Sequence, residues 1–173
     1  MLVFEAPELG IVARSESVLR VLASGAGAQG EVRESGVVLL PCAPASVAVA
    51  RRRITAELQA AGVFESAVGD AALVMSELLS NAILHARPLP GRRLQVAWIV
   101  DAGSVEIAVT DGGGPTRPHA VRPSLSSLGG RGLGIVEYLS RHWGIRADGP
   151  RTTIWAVLPA PCERLSDRSA VQP

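Results

Sequence analysis

The chain has 173 residues, of which 47% are hydrophobic, and a formal net charge of +1. This length suits one domain with a short extension, and the near-neutral charge excludes a general polyanion binder, since nucleic-acid affinity grows with the number of phosphates neutralised. All 17 basic residues are arginine, which excludes a P-loop lysine and a Schiff-base lysine. Any phosphate contact must therefore come from arginine, backbone N–H groups, hydroxyls or a metal ion.

The N-terminal residues predict a cytoplasmic protein. Glu5 and Glu8 stand where a secretory signal would carry a cationic region, and no run reaches the roughly 18 apolar residues of a membrane span. We therefore expect no membrane contact and no direct contact with nucleic acid. Cys42 and Cys162 are too few for a zinc site of their own, and we expect both to be packing residues.

Sequence patterning divides the chain into three parts. Residues 1–34 form an extension of unknown role with a short helix considered over 15–23, residues 35–160 form the domain, and residues 161–173 form a flexible tail. Within the domain, strands are predicted over 36–40, 92–100, 104–110, 142–146 and 152–158, and helices over 45–61, 66–86 and 135–141. Alternating apolar and polar residues in the third strand are typical of a sheet with one covered face.

The second predicted helix carries three polar side chains along one edge. Its apolar residues cover more than half of its circumference, which is typical of a helix buried on most sides. Glu77, Asn81 and His85 stand at i, i+4 and i+8 and therefore share one side. Polar groups that are buried without partners are costly, so Glu77 and Asn81 together are interpreted as ligand-facing. For His85 alone, a role in capping or bridging neighbouring elements is favoured.

An acid, a glycine cluster and a basic loop follow the third predicted strand. A hairpin between the second and third strands delivers Asp111 to the end of a strand, where ligand-contacting residues are common. The next segment, residues 112–131, contains three arginines, one histidine and no acid. We interpret it as a lid over an anionic ligand, and an ordinary disordered surface loop is the alternative.

A glycine-rich segment, Gly129-Gly-Arg-Gly-Leu-Gly134, opens the third helix. Glycines let a backbone approach phosphates closely, and a helix N-terminus provides free N–H groups and positive potential. The segment does not follow a strand, as the glycine fingerprint of a dinucleotide-binding fold would. We therefore interpret it as the phosphate side of a nucleotide site that has no P-loop.

Together, these blocks resemble the GHKL superfamily of ATP-binding domains, which includes histidine kinases, gyrase-type topoisomerases, ninety-kilodalton chaperones and mismatch-repair ATPases. Glu77-Leu-Leu-Ser-Asn81-Ala is similar to the N-box, Asp111-Gly-Gly113 to the first glycine box, and Gly130-Arg-Gly132-Leu-Gly134 to the second. The resemblance covers residues 36–158. It implies an α+β fold, a two-layer sandwich of the Bergerat type with a mostly antiparallel sheet covered on one face by helices.

Within the superfamily, the short single domain and the form of the Glu77 block are most similar to the small bacterial anti-sigma-factor serine/threonine kinases. This resemblance implies ATP and Mg²⁺ as cofactors. Asn81 would bind Mg²⁺ and through it the triphosphate, Asp111 would accept a hydrogen bond from the adenine amino group, and Gly113 would let the backbone approach the base. Glu77 would act as the general base that takes the proton from the substrate serine hydroxyl.

The resemblance implies further residues and two kinds of partner. Glycines at the start of the third helix would form the phosphate-side hinge of the lid, and a threonine of the last strand would line the pocket near the base. The remaining residues assigned to the nucleotide site are His85, Gly130, Arg131, Gly132, Leu133, Gly134 and Thr153. The implied partners are an anti-sigma-antagonist protein as substrate and a sigma factor that is sequestered, and a homodimer is one expected assembly.

Two positions depart from the pattern of these kinases. Leu84 stands where many members carry a basic residue, and Pro115 stands where the first glycine box usually has another glycine. A non-catalytic ATP-binding regulator that sequesters a partner protein is therefore the alternative function. A protein-interaction domain that has lost ATP is a third interpretation, and the intact Asp111 and glycine boxes argue against it.

Overall fold

The computed structural model describes residues 34–101, 103–113 and 131–162. Their strands are β1 (Glu34–Pro41), β2 (Arg93–Val100), β3 (Gly103–Asp111), β4 (His142–Asp148) and β5 (Arg151–Ala160). Their helices are α1 (Ala45–Ala60), α2 (Glu65–His85) and α3 (Arg131–Leu139). The short helix considered over 15–23, residues 114–130 of the predicted lid and the tail from 163 onward lie outside the described residues.

The five strands form one sheet in the order β1-β2-β3-β5-β4, and every neighbouring pair is antiparallel. The turn between β2 and β3 is held by Asp101, whose Oδ1 accepts hydrogen bonds from the Ser104 N–H at 3.1 Å and from the Ser104 hydroxyl at 2.6 Å. The apolar residues of the three helices join the core on one face of this sheet. The predicted α+β two-layer architecture and the predicted hairpin are therefore confirmed.

The central helix of the core is α2. Met75, Leu78 and Leu79 are fully buried, and the helix packs against α1, α3, β3 and β5. In length and mean hydropathy (1.4) α2 could cross a membrane, but 56% of its most apolar window is buried inside the domain. Since core helices meet the same criteria of length and composition, packing rather than membrane insertion explains its apolar surface.

The third helix ends two residues earlier than the sequence predicts. α3 stops at Leu139, whereas apolar spacing extended it to Arg141. The Arg141 N–H instead donates a hydrogen bond to the carbonyl of Val157 at 2.8 Å, and β4 begins at the next residue. A backbone hydrogen bond to β5 therefore takes the place of the helical hydrogen bond that Arg141 would make in a longer α3.

At the other end of the sheet, the packed domain extends past the predicted boundary at residue 160. The Phe64 N–H donates to the carbonyl of Pro161 at 3.0 Å, and Val63 forms an isolated bridge with Cys162. Cys162 is buried, and Cys42 packs against the core as a partly buried residue. Both thiols are free, so the prediction that the cysteines are packing residues is confirmed.

A buried tryptophan of β2 packs against the edge strand β1 and forms a hydrogen bond to α1. Trp98 lies opposite Gly36 in the β1–β2 register, and an ideal Cβ placed on Gly36 would overlap the indole ring. The indole N–H donates to Glu57 Oε2 at 2.7 Å, and Glu57 pairs through its other oxygen with Arg53 at 3.1 Å. The ring thus fills the space that a side chain at position 36 would take, while its polar atom is satisfied from α1.

Gly36→Ala is expected to lower the free energy of unfolding by about 1–3 kcal/mol, because the new methyl group overpacks the Trp98 ring. Urea denaturation followed by circular dichroism measures the change. Gly69→Ala is the matched control, since an ideal Cβ on this exposed glycine of α2 would meet open space. The control variant is expected to gain about 0.5–1 kcal/mol from helix propensity, and equal stability of the two variants would contradict the packing argument.

The face of the sheet opposite the helices carries a second, smaller group of buried residues. It consists of Val37, Ala97, Ile99 and Ala108, with Trp155 packed against them. On the same face the hydroxyls of Thr110 and Thr153 are joined by a hydrogen bond of 2.8 Å. Glu106 also lies on this face: burial raises its pKa to about 7, an effect that Arg146 partly opposes and Asp101 reinforces.

Stability is expected to fall as the pH rises from about 4.5 to about 7, because the folded protein holds the Glu106 proton more tightly than the unfolded chain does. Above this window Glu106 is ionised in both states, and the full cost of a partly buried carboxylate is present. Because solvent screens this partly buried group, the change in unfolding free energy across the window should be about 1–2 kcal/mol. Denaturation of wild type and Glu106→Gln across this range should show a slope in the wild type that the variant lacks, and parallel curves would contradict the assignment.

Candidate functional site

The polar edge of α2 is real, but its three members differ in exposure. Glu77 and Asn81 are partly exposed on a helix that is otherwise largely buried, and one helical turn separates them, about 6 Å along the axis. His85 is exposed at the C-terminal end, and within the described chain its side chain makes no hydrogen bond. The described contacts give His85 no capping or bridging partner, and the nucleotide contact assigned to it stays a prediction. Leu84, the departure from the family pattern, is 73% exposed.

The carboxylate of Glu77 lies against the first turn of α3. An ideal Cβ placed on Gly132 would stand 2.5 Å from Glu77 Oε2, so any side chain at this position would displace the carboxylate. Gly132 therefore has a structural reason to be glycine that the sequence pattern does not reveal. The contact joins the two blocks that the sequence places 55 residues apart, since 132 − 77 = 55.

Leu133 and Gly134, which follow Gly132 in the first turn of α3, have different surroundings from Gly132. Leu133 is buried and belongs to the core cluster, so it anchors the start of α3 by packing. An ideal Cβ on Gly134 would meet open space, and internal packing therefore does not require a glycine there. Gly130 lies outside the described residues, and Arg131 is described by its backbone alone, as the first residue of α3.

Asp111, the last residue of β3, is a buried carboxylate with acceptor capacity to spare. Its side chain is on the helix-facing side of the sheet and is 4% exposed. Oδ1 accepts a hydrogen bond from the Gly113 N–H at 2.6 Å, and within the described residues Oδ2 has no partner. Burial raises the pKa of Asp111, and the Gly113 N–H partly offsets this rise. A donor from a ligand would satisfy the second oxygen.

Backbone carbonyls on both sides hold the turn after β3. Gly112 donates its N–H to the Arg87 carbonyl at 2.7 Å, and an ideal Cβ on Gly112 would stand 2.5 Å from the carbonyl oxygen of Pro88. Gly113 has a φ of 77°, and a Cβ there would overlap the carbonyl oxygen of Pro150. The segment after α2 and the β4–β5 turn thus fix the backbone that orients Asp111.

The assignment of Thr153 to the pocket is contradicted by the register of β5. Thr153 pairs with Thr110 and points to the face opposite the helices, where their hydroxyls are hydrogen-bonded. Its neighbour Thr152 is the register partner of Asp111, and the Thr152 hydroxyl oxygen would stand 3.6 Å from a Cβ on Gly113. Thr152 is therefore the threonine on the Asp111 side. The burial of Ile154 in the core agrees with this, since strand alternation places Thr152 on the same face as Ile154 and Thr153 on the other.

The described residues form two clusters, both next to α2. One joins Glu77 to the start of α3, and the other joins Asp111 to its glycine turn and to Thr152. α2 packs directly against both α3 and β3. A buried acceptor at one end and a partly exposed carboxylate beside a helix N-terminus at the other fit a ligand with a hydrogen-bonding base and an anionic group.

These features define a nucleotide-binding domain without a P-loop, and the comparison of the chain with protein families agrees. The model of the histidine kinase-like ATPase domain matches residues 40–158. The chain belongs to this family, and it is an ATP-binding domain of that kind. No curated protein shows significant similarity to the chain.

A solved structure with a similar fold is the crystal structure of the RsbU and RsbW domains of Rv1364c from Mycobacterium tuberculosis. The two share 19% sequence identity with a TM-score of 0.57, over 73% of this chain and 32% of that chain. This chain therefore spans about a third of the length of that protein. At this identity the similarity supports the fold, which is the α+β sandwich that the sequence predicts.

Proposed function

We propose that the protein is an ATP- and Mg²⁺-dependent serine/threonine kinase of the cytoplasm that sequesters a sigma factor and phosphorylates an anti-sigma-antagonist protein. The observation that carries this proposal is the contact of the Glu77 carboxylate with Gly132 at the start of α3. A carboxylate beside the glycine box is next to the position that the phosphates of ATP take in this family. Glu77 is also partly exposed, so a hydroxyl of another protein can reach it.

Each end of the site would make a different contribution to ATP binding. The Oδ2 of Asp111, which has no partner among the described residues, would accept a hydrogen bond from the adenine amino group, and the turn at Gly113 would let the base approach the backbone. Asn81 would supply a side-chain oxygen to Mg²⁺, which neutralises charge on the phosphates. Among the described residues no cluster of three His, Cys, Asp or Glu could hold a metal ion, so phosphate oxygens and water would complete its coordination.

Phosphoryl transfer at this site would depend mainly on positioning. The substrate hydroxyl oxygen attacks the γ-phosphorus, the bond from that phosphorus to the β–γ bridging oxygen breaks, and ADP leaves. Glu77 accepts the proton that the hydroxyl loses. The hydroxyl and the carboxylate must come within about 3 Å for this step, which the solvent-accessible edge of α2 allows.

The direct test is transfer of label from γ-³²P-ATP to purified anti-sigma-antagonist proteins encoded in the same genome. We expect one of them to be labelled on serine or threonine, with Mg²⁺ required. The control reaction uses Glu77→Gln, which should bind ATP and fail to transfer. If calorimetry shows ATP binding and no antagonist is labelled by the wild type, the kinase proposal is wrong.

A non-catalytic regulator is the second candidate, and the exposure of Leu84 favours it. At 73% exposure this side chain contributes no charge to the phosphates and offers an apolar contact to a partner. This candidate predicts ATP binding without turnover and unchanged partner binding in Glu77→Gln. In the same assay, release of ADP together with labelled protein would indicate the kinase, and bound ATP with neither product would indicate the regulator.

Gly132→Ala is expected to lower phosphoryl transfer with little effect on folding, because its methyl group would meet the flexible end of Glu77 rather than backbone. The carboxylate can move aside, so we expect a change in unfolding free energy of less than about 1 kcal/mol. A misplaced base should reduce the transfer rate about 100-fold. Single-turnover assays and urea denaturation measure the two effects, and full activity in Gly132→Ala would contradict the proposed position of Glu77.

A further inference from the structure

An open groove of about 480 Å³ lies between α2 and α3, beside the contact of Glu77 with Gly132. We call it the α2–α3 groove. Its lining residues are Asp70, Leu73, Gly134, Ile135, Tyr138 and Leu139. Leu73 precedes Glu77 by one helical turn, and Gly134 follows Gly132 by two residues. The groove therefore continues directly from the candidate catalytic carboxylate.

The groove exposes apolar side chains to solvent that the packing of the core leaves uncovered. Tyr138 is 87% exposed and Leu73 is 37% exposed, although both lie on helices whose other faces are buried. An ideal Cβ on Gly134 would meet open space, so the glycine leaves room for an incoming side chain. Exposed aromatic and aliphatic side chains around an open depression are typical of a protein-docking surface.

The charges of the groove indicate what it would bind. Among the described residues, its lining contains one carboxylate, Asp70, and no basic side chain, and Glu77 adds a second carboxylate at the end nearest the glycine box. These two carboxylates would attract a basic side chain and would disfavour an anionic membrane surface. A polypeptide with apolar and basic side chains therefore fits the groove.

The spacing of the two carboxylates gives the register of that polypeptide. Glu77 lies seven positions after Asp70 on α2, a rise of about 10 Å. An extended chain covers about the same distance in three residues. A segment that presents a hydroxyl to Glu77 would thus bring a basic residue about three positions away next to Asp70, with an apolar side chain between Leu73 and Tyr138.

Resting on the kinase function proposed above, we infer that the α2–α3 groove docks the substrate segment that carries the phosphorylated hydroxyl. The segment has apolar side chains and a basic residue about three positions from its serine or threonine. The partner is identified by replacing Tyr138 with p-benzoylphenylalanine in the full chain, irradiating the native cells and sequencing the protein that becomes attached. The purified partner then serves as the substrate for kinetic assays.

Leu73→Asp should raise the KM for this partner about tenfold or more by removing an apolar contact, while the ATP affinity and the rate at saturating partner stay unchanged. Leu39→Asp is the matched control, since Leu39 lies on β1 with a similar exposure of 42% and should leave KM unchanged. Asp70→Arg should also raise KM, and replacing the partner's basic residue with glutamate should restore it.

The outcomes separate the groove from the kinase function. If wild-type KM persists in Leu73→Asp and Asp70→Arg while Glu77→Gln abolishes transfer, the kinase stands and the groove assignment is wrong. If the partner is attached at position 138 and Leu73→Asp abolishes its binding, but no variant or wild type transfers phosphate, the kinase function is wrong and the groove is a docking surface for an unmodified partner. Attachment of lipid, or of no protein, at position 138 also overturns the inference.

Discussion

Glu77→Gln is expected to lower the rate of phosphoryl transfer by about 10²- to 10⁴-fold, which is the usual contribution of a general base. The amide keeps the size of the side chain and fits the same space against Gly132, but it cannot take the proton of the attacking hydroxyl. ATP affinity should change little, because the acceptor that we propose for adenine is Asp111, at the end of β3, whereas Glu77 is on α2. Single-turnover transfer and calorimetric titration with ATP measure the two quantities.

Glu137→Gln is the control for this result. Glu137 is an exposed acid on α3 that faces away from the core, so its neutralisation changes the charge of the protein by the same amount. It should leave both transfer and ATP binding unchanged. A Glu77→Gln protein that transfers at the wild-type rate would show that the carboxylate is not the base, and transfer would then depend on positioning alone.

Asp111→Asn is expected to weaken ATP binding by about 10- to 100-fold, the value of a charge-assisted hydrogen bond of about 1.5–3 kcal/mol. The variant loses the acceptor-only oxygen that we propose as the partner of the adenine amino group. Because guanine presents a carbonyl at the equivalent position, the preference of the wild type for ATP over GTP should also shrink. Calorimetry with both nucleotides in the presence of Mg²⁺ measures the effect.

The stability of the folded protein should not fall in Asp111→Asn, in contrast to its ATP affinity. Burial raises the pKa of Asp111, so ionisation of this carboxyl costs stability in the folded state, and the cost grows as the pH rises from the ordinary pKa of aspartate through the folded pKa. The neutral amide avoids this cost, and Asp111→Asn should unfold at a urea concentration no lower than the wild type. Asp101→Asn, in the β2–β3 turn, is the control for ATP affinity. Unchanged ATP affinity in Asp111→Asn would exclude the proposed adenine contact.

Much of the fold was predictable because it follows from local patterning. The period of α2 and the alternation in β3 depend on residues close in sequence, and the core of the folded domain agrees with them. Asp111 could be placed at a strand end for the same reason. The boundaries that were wrong depend on distant partners, as with Arg141, whose N–H is taken by the carbonyl of Val157.

The candidate site was predictable in its residue types and less so in its contacts. The pair Thr152 and Thr153 offers two identical side chains, and a shift of one residue exchanges the faces of the sheet. Only the pairing with Thr110 shows that Thr153 is on the outer face. The approach of Glu77 to Gly132 likewise depends on how α3 packs on α2, and the raised pKa of Glu106 depends on its burial on the outer face.

The backbone carbonyls of Pro88 and Pro150 enclose the turn after β3, and they limit how this part of the domain can change between relatives. Gly112 and Gly113 leave no room for side chains against Pro88 and Pro150. Insertions or deletions in the segments that carry these prolines would move Asp111 without altering any residue that we assign to the nucleotide site. We therefore expect loop exchange between relatives to change base selectivity, while positions 112 and 113 stay glycine.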